Sequence, residues 1–185
     1  MKINITKRFL LSLCLMTLTL LCGENKAWAS DVTVTSTFKD KNWSVGTGEP
    51  SWTSSGAATN SFESASPSRG IQILQNSIKT SGLQLTNSSI KELGKIKSIT
   101  LTVSATIAGG KISSVKVGST SFLNNGSSSY SVAKKNGQVV TFETDTPIAD
   151  DIIISFTSTA TSSSLYIKSI AVTYEDALAP TFSLK

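Results

Sequence analysis

Ile96-Lys97-Ser98-Ile99-Thr100-Leu101-Thr102-Val103 recurs about seventy residues later as Ile167-Lys168-Ser169-Ile170-Ala171-Val172-Thr173-Tyr174. In each copy an apolar residue is followed, three positions on, by apolar residues at every second position. Successive side chains of a strand point to opposite faces, so Ile96 and Ile99 would ordinarily face opposite ways. One extra residue at the Lys-Ser pair, a β-bulge, returns both to the same face. Two such strands predict an all-β chain folded as an antiparallel β-sandwich.

Working outward, Ile99, Leu101, Val103, Ala105 and Ile107 fall on one face and Thr100, Thr102, Ser104 and Thr106 on the other. Threonine suits a solvated strand face because its β-branch fits the pleat. Val32–Phe38, Gly70–Ile73, Leu83–Leu85 and Ile152–Phe156 follow the same strand logic. Ser89-Ile90-Lys91-Glu92 has capping-box spacing, with Gly94 as a stop, and predicts one helical turn at most. Gly109-Gly110, Asn125-Gly126 and Asn136-Gly137 punctuate the runs 112–117, 119–123, 128–133 and 138–144. Such pairs mark hairpins because primed turns need positive φ. About nine to eleven short strands joined by tight turns make a jelly-roll-like sandwich and leave no room for a βαβ unit.

The first 29 residues read as a targeting segment. Lys2, Lys7 and Arg8 precede an apolar run from Phe9 to Leu21, and Ala27-Trp28-Ala29 offers a cleavage site before Ser30. The run is short for a membrane span, and no other segment reaches that length. A lipoprotein reading would need Cys22, but Leu21 precedes it where a small residue is usual. The expected product is an exported domain, residues 30–176, followed by a tail, 177–185. Periplasmic, cell-surface and extracellular destinations all fit.

Without residues 1–29 the net charge falls from +5 to +2, so the basic balance is largely a property of the targeting segment. The remaining lysines form no stripe interleaved with aromatics, and no nucleic-acid partner is expected. Cys14 and Cys22 both lie in that segment, so the domain relies on its core and not on disulfides. Residues 30–185 include 31 Ser and 20 Thr. That richness would suit a mucin-like stalk, but the alternation places the hydroxyls on outer strand faces instead.

Leu165–Tyr174, Ile96–Val103, Ser114-Val115-Lys116-Val117-Gly118 and a Trp- and Ser-rich N-terminal third resemble jelly-roll modules of secreted multidomain proteins of gut anaerobes. Such modules are similar to the galactose-binding-like sandwiches that accompany extracellular glycosidases, nucleases and surface adhesins. The resemblance implies a carbohydrate-binding or adhesive accessory role, and a structural calcium is common in such sandwiches. Ala179-Pro180-Thr181-Phe182-Ser183 resembles the opening of the small C-terminal repeat of chitobiase and β-hexosaminidase. That repeat does not continue beyond Lys185, so a fragment or a truncated remnant of a larger surface protein is the competing expectation.

The chain has no histidine, which rules out a Ser-His-Asp triad and His-ligated zinc. A carboxylate-pair glycosidase stays formally open through Asp40, Glu49, Glu63, Asp145, Asp150 and Asp151, none in a recognisable motif. Residues 43–69 form a long, irregular stretch with binding chemistry: an aromatic platform at Trp52, with Asn60, Glu63 and Arg69 for sugar hydroxyls. The partner expected there is a glycan or cell-surface polysaccharide. Against this, Trp43 and Trp52 also read as core residues of short strands at 42–45 and 51–54, with Arg69 paired to Glu63. Phe122 and Tyr130 form a weaker second platform. Asp145, Asp150 and Asp151 are the calcium candidates, although no Asp-rich calcium loop occurs.

Overall fold

Both bulges are present, and both fall on the lysine. The computed structural model describes residues 30–38, 48–56, 62–66, 69–73, 82–158 and 165–176. Its strands are β1 (Asp31–Thr37), β2 (Thr53–Gly56), β3 (Phe62–Ser66), β4 (Gly70–Ile73), β5 (Leu83–Asn87) and β6 (Gly94–Ser104). They continue with β7 (Gly110–Val117), β8 (Thr120–Ser121), β9 (Tyr130–Ser131), β10 (Gln138–Ile148), β11 (Ile152–Ser158) and β12 (Leu165–Asp176). The two repeat copies are neighbours: β6 and β12 pair antiparallel, with Thr100 opposite Ala171. Ser98 and Ile96 oppose Thr173 and Tyr174, which leaves Lys97 as the extra residue of β6. Thr102 and Val103 oppose Ser169 and Ile167, so Lys168 is the extra residue of β12. Each bulge thereby keeps the isoleucines on both sides of it, Ile96 with Ile99 and Ile167 with Ile170, fully buried.

Sheet A has the order β10-β6-β12-β4-β3, with β1 also on β12. The Lys168 bulge marks a change of partner: Leu165–Ile167 pair with β4, and Ser169–Glu175 pair with β1. Sheet B has the order β2-β5-β11-β7-β8, with β9 also on β7. Ile99, Leu101, Val140, Phe142, Ile170 and Val172 from sheet A share one core with Leu83, Leu85, Val115, Ile152, Ile154 and Phe156 from sheet B. Burial of each such side chain contributes about 1.5–3 kcal/mol, which makes this core the main source of stability. Ala29–Leu178 form one compact unit. Among the described residues no helix is long and apolar enough to cross a membrane.

Several local expectations change. There are twelve strands among the described residues, because β2 and β3 lie inside the stretch expected to be an irregular loop. Their Ser-rich sequences give little apolar signal, and an edge strand needs only one neighbour. β6 ends at Ser104; Ala105 donates its N–H to the Lys135 carbonyl, and Ile107 turns out to 45% exposure instead of continuing the buried face. The short turn is a 3-10 helix at Ile90–Glu92, and Ser89 does not cap it with its side chain. Asn87 takes that role: its Oδ1 accepts N–H bonds from Ser89 at 3.1 Å and Ile90 at 3.0 Å. Gly94 does not stop the turn but opens β6, where a β-carbon would overlap the Glu175 carbonyl.

The Asn125-Gly126 turn forms as expected, with φ of 47° and 80° and Asn124 and Ser127 exchanging backbone hydrogen bonds. It does not join a β8–β9 hairpin, since each of those strands pairs with β7. Leu123 instead bridges to Glu143 of β10, closing that side of the sandwich.

Candidate functional site

The outer face of sheet B is set by the same parity rule as its core face. Leu83 and Leu85 of β5, Ile152, Ile154 and Phe156 of β11, and Ile112, Val115 and Val117 of β7 point inward. Gln84, Thr86, Ile153, Ser155 and Thr157 therefore point out. Cross-strand register aligns Ser55, Gln84, Ser155 and Ser114 in one row across four strands. A further bulge, in β7, lies between the Ser155–Ser114 and Phe156–Ile112 pairs and adds Ser113 to that row. The row floors an open groove of about 410 Å³ whose lining includes Ser55, Gln84, Ser113, Ser155 and Thr157. No ionisable side chain lines it. Gln84 donates from Nε2 to Ser155 Oγ at 3.4 Å, a long bond that leaves its amide available to a ligand.

Of the residues expected from sequence as a ligand site, the structure describes the side chains of Trp52 and Arg69. Trp52 is half-buried just before β2 and packs against the core. Its indole Nε1 donates to Ser36 Oγ at 2.9 Å, and Ser36 Oγ donates to the Pro50 carbonyl at 3.2 Å. Thr37 N–H donates to Glu49 Oε2 at 2.7 Å, and Asn87 Nδ2 donates to the Ser51 carbonyl at 2.7 Å. These bonds close the sandwich between the β1 and β2 edges. Arg69 holds its guanidinium 5.4 Å from the Tyr166 ring centroid, a cation–π arrangement, and its buried Nε has no hydrogen-bond partner. Trp43, Asp40 and Asn60 lie outside the described residues, and Glu63 is placed only as a backbone position of β3. Phe122 is fully buried, and Tyr130 is partly buried against the core with its hydroxyl donated to Gln138 Oε1.

The acidic candidates are separate. Asp145 and Glu143 lie on a second groove beside Asn125. Asp150 Oδ1 accepts the Asp151 N–H at 2.7 Å. Asp151 pairs with Lys91 Nζ at 2.8 Å. Among the described residues no three acidic, histidine or cysteine side chains gather as a metal-sized group.

The hydrogen bond from Lys91 holds the Asp151 carboxyl below its ordinary value, against the opposing effect of desolvation, and Asp151 in turn raises the Lys91 ammonium. A depressed acid stabilises the fold above its unfolded value of 3.8 and loses that contribution as pH falls through the folded value. The raised lysine contributes fully below 10.5 and loses its part at higher pH. Asp151→Asn should therefore lower the melting temperature at neutral pH, with the gap to wild type closing as pH falls to about 2. A gap of equal size at both pH values would show that the ion pair is not its cause.

No protein-family model and no curated protein matches the sequence. Among solved structures the chain is similar to a family 29 carbohydrate-binding module from Piromyces equi, with 16% identity and a TM-score of 0.49 over 82% of this chain and 96% of that one. A family 36 carbohydrate-binding module in complex with calcium and xylotriose gives 16% identity and a TM-score of 0.38, over 65% and 98% of the two chains. A xylan-binding module of family 15 gives 13% and 0.41, over 80% and 99%.

Proposed function

We propose that this chain is a non-catalytic, exported carbohydrate-binding module whose ligand lies in the groove on the outer face of sheet B. The groove itself carries the proposal: a shallow channel across four strands, lined by serine and threonine hydroxyls and the Gln84 amide. Hydroxyls both donate and accept, and a primary amide offers two donors and an acceptor, which matches the hydroxyl pairs of a sugar ring. The lining holds no carboxylate to act as acid, base or nucleophile, which favours binding over hydrolysis. Trp52 acts here as a buttress, since its bond to Ser36 fixes the segment that leads into β2 and hence Ser55. Export is supported by the basic, apolar and Ala-x-Ala segments within residues 1–29.

Affinity electrophoresis of the protein against a panel of soluble polysaccharides tests this reading. At least one polysaccharide should retard it, and Gln84→Ala should weaken that retardation about tenfold, the upper end for one hydrogen-bonding group. Gln84 is exposed, so its loss should leave the melting temperature nearly unchanged. Migration unaffected by every polysaccharide would favour a spacer role instead.

A further inference from the structure

Sheet B carries only two charged residues among its strands, Lys111 and Lys116, and both lie on β7. Residues five apart on a regular strand face opposite ways. Here the bulge at Ser113 and Ser114 intervenes, with Lys111 opposite Thr157 and Lys116 opposite Ile153. Ile112, Val115 and Val117 take the inward positions, so both lysines emerge on the groove face. They flank the two serines along the strand, about 15 Å apart. Thr157 and Ser113 line the groove; Lys111, opposite Thr157, borders it and also lines a neighbouring depression with Ser131, and Lys116 lies two residues beyond Ser114 on β7.

Neither lysine faces an acid across the sheet. Their neighbours on the outer side are Ser131 for Lys111 and Ser121 for Lys116. The nearby acids are Asp150, whose carboxylate sits against Gly118, Asp151, already paired with Lys91 at 2.8 Å, and Glu143 and Asp145, which share a separate groove with Ser121. The other ion pair among the described residues, Lys97 with Asp31, belongs to sheet A. A hydroxyl groove with two cations beside it, neither ion-paired among the described residues, on a sheet whose strands carry no acid, suits a polymer that repeats both hydroxyls and anionic groups.

We infer that the preferred ligand is an anionic polysaccharide, whose carboxylate or sulfate groups are met by Lys111 and Lys116 while its hydroxyls meet the Ser55–Gln84–Ser155 row. This rests on the groove being the glycan site.

Two matched pairs of probes test it: polygalacturonate against its methyl ester, and dextran sulfate against dextran. The acidic member of at least one pair should bind tenfold or more tightly than its neutral partner, and which pair responds distinguishes carboxylate from sulfate. Lys111→Gln and Lys116→Gln should each reduce that binding about threefold to fivefold, the range of partly exposed ion pairs. Lys111→Arg with Lys116→Arg should retain it. Raising salt from about 0.05 to 0.5 M should weaken wild type more than the double glutamine variant. Equal binding of neutral and acidic members, indifferent to the lysines but lost in Gln84→Ala, would overturn this inference and leave the glycan reading standing. Binding of single-stranded DNA as tight as that of either acidic glycan would also overturn it, in favour of a phosphate polymer. No binding of any polysaccharide would remove both readings together.

Discussion

Deleting Lys168 should prevent the sandwich from folding. Lys168 is the extra residue of β12, and the parity of everything around it depends on its presence. Without it, either Ile170, Val172 and Tyr174 must turn outward, or Leu165 and Ile167 must do so. The first outcome removes three large side chains from the core at about 2 kcal/mol each, close to the whole stability of an ordinary domain. The second removes two and breaks the pairing with β4 as well. Lys168→Ser, which keeps the residue count, should cost under about 1 kcal/mol because the side chain is only partly buried. Circular dichroism melts of both variants check this. A deletion variant that melted cooperatively near the wild-type temperature would show that the bulge does not set the register.

Gly70→Ala should be severely destabilising. Gly70 opens β4 at φ 91°, and a β-carbon there would overlap the Ile167 carbonyl and the Lys168 Cα, both main-chain atoms of the bulge. Main chain cannot swing aside as a side-chain tip can, so the β4–β12 pairing has to open. Backbone strain and the clash together should cost about 3 kcal/mol or more. Gly137→Ala separates the two effects, because its φ of 63° is also left-handed but nothing lies within 4 Å of the added carbon. That variant should lose only about 1 kcal/mol. Equal losses in the two would mean that conformation alone, and not the contact with the bulge, matters at Gly70.

The fold was legible where apolar periodicity is strong. The Ile-Lys-Ser-Ile copies announced both bulges, and the Asn125-Gly126 turn announced its own φ values. What sequence could not supply is which strands meet, because pairing is a long-range property. That the two copies are adjacent, with Thr100 opposite Ala171, has no local signature. The edge strand β3 was missed, and β2 was anticipated only as a competing reading of 51–54, because serine is written the same way in a loop and on a one-sided edge. The groove was missed for a related reason. Gln84, Ser155 and Ser113 read as ordinary solvated positions, and only the cross-strand register aligns them. Ile112-Ser113-Ser114-Val115 does repeat the apolar spacing of the two Lys-Ser bulges. Trp52 drew attention as an aromatic in a Ser-rich stretch, yet its indole N–H is spent on Ser36.

Amide chemical-shift mapping during titration with a bound polysaccharide locates the ligand most directly. Shifts should concentrate at Ser55, Gln84, Ser113, Ser155 and Thr157, extend to Lys111 and Lys116 for an anionic glycan, and spare the outer face of sheet A around Thr100 and Thr173. Shifts centred instead on Trp52 and Arg69, with the sheet B row unmoved, would contradict the assignment of the groove as the binding site.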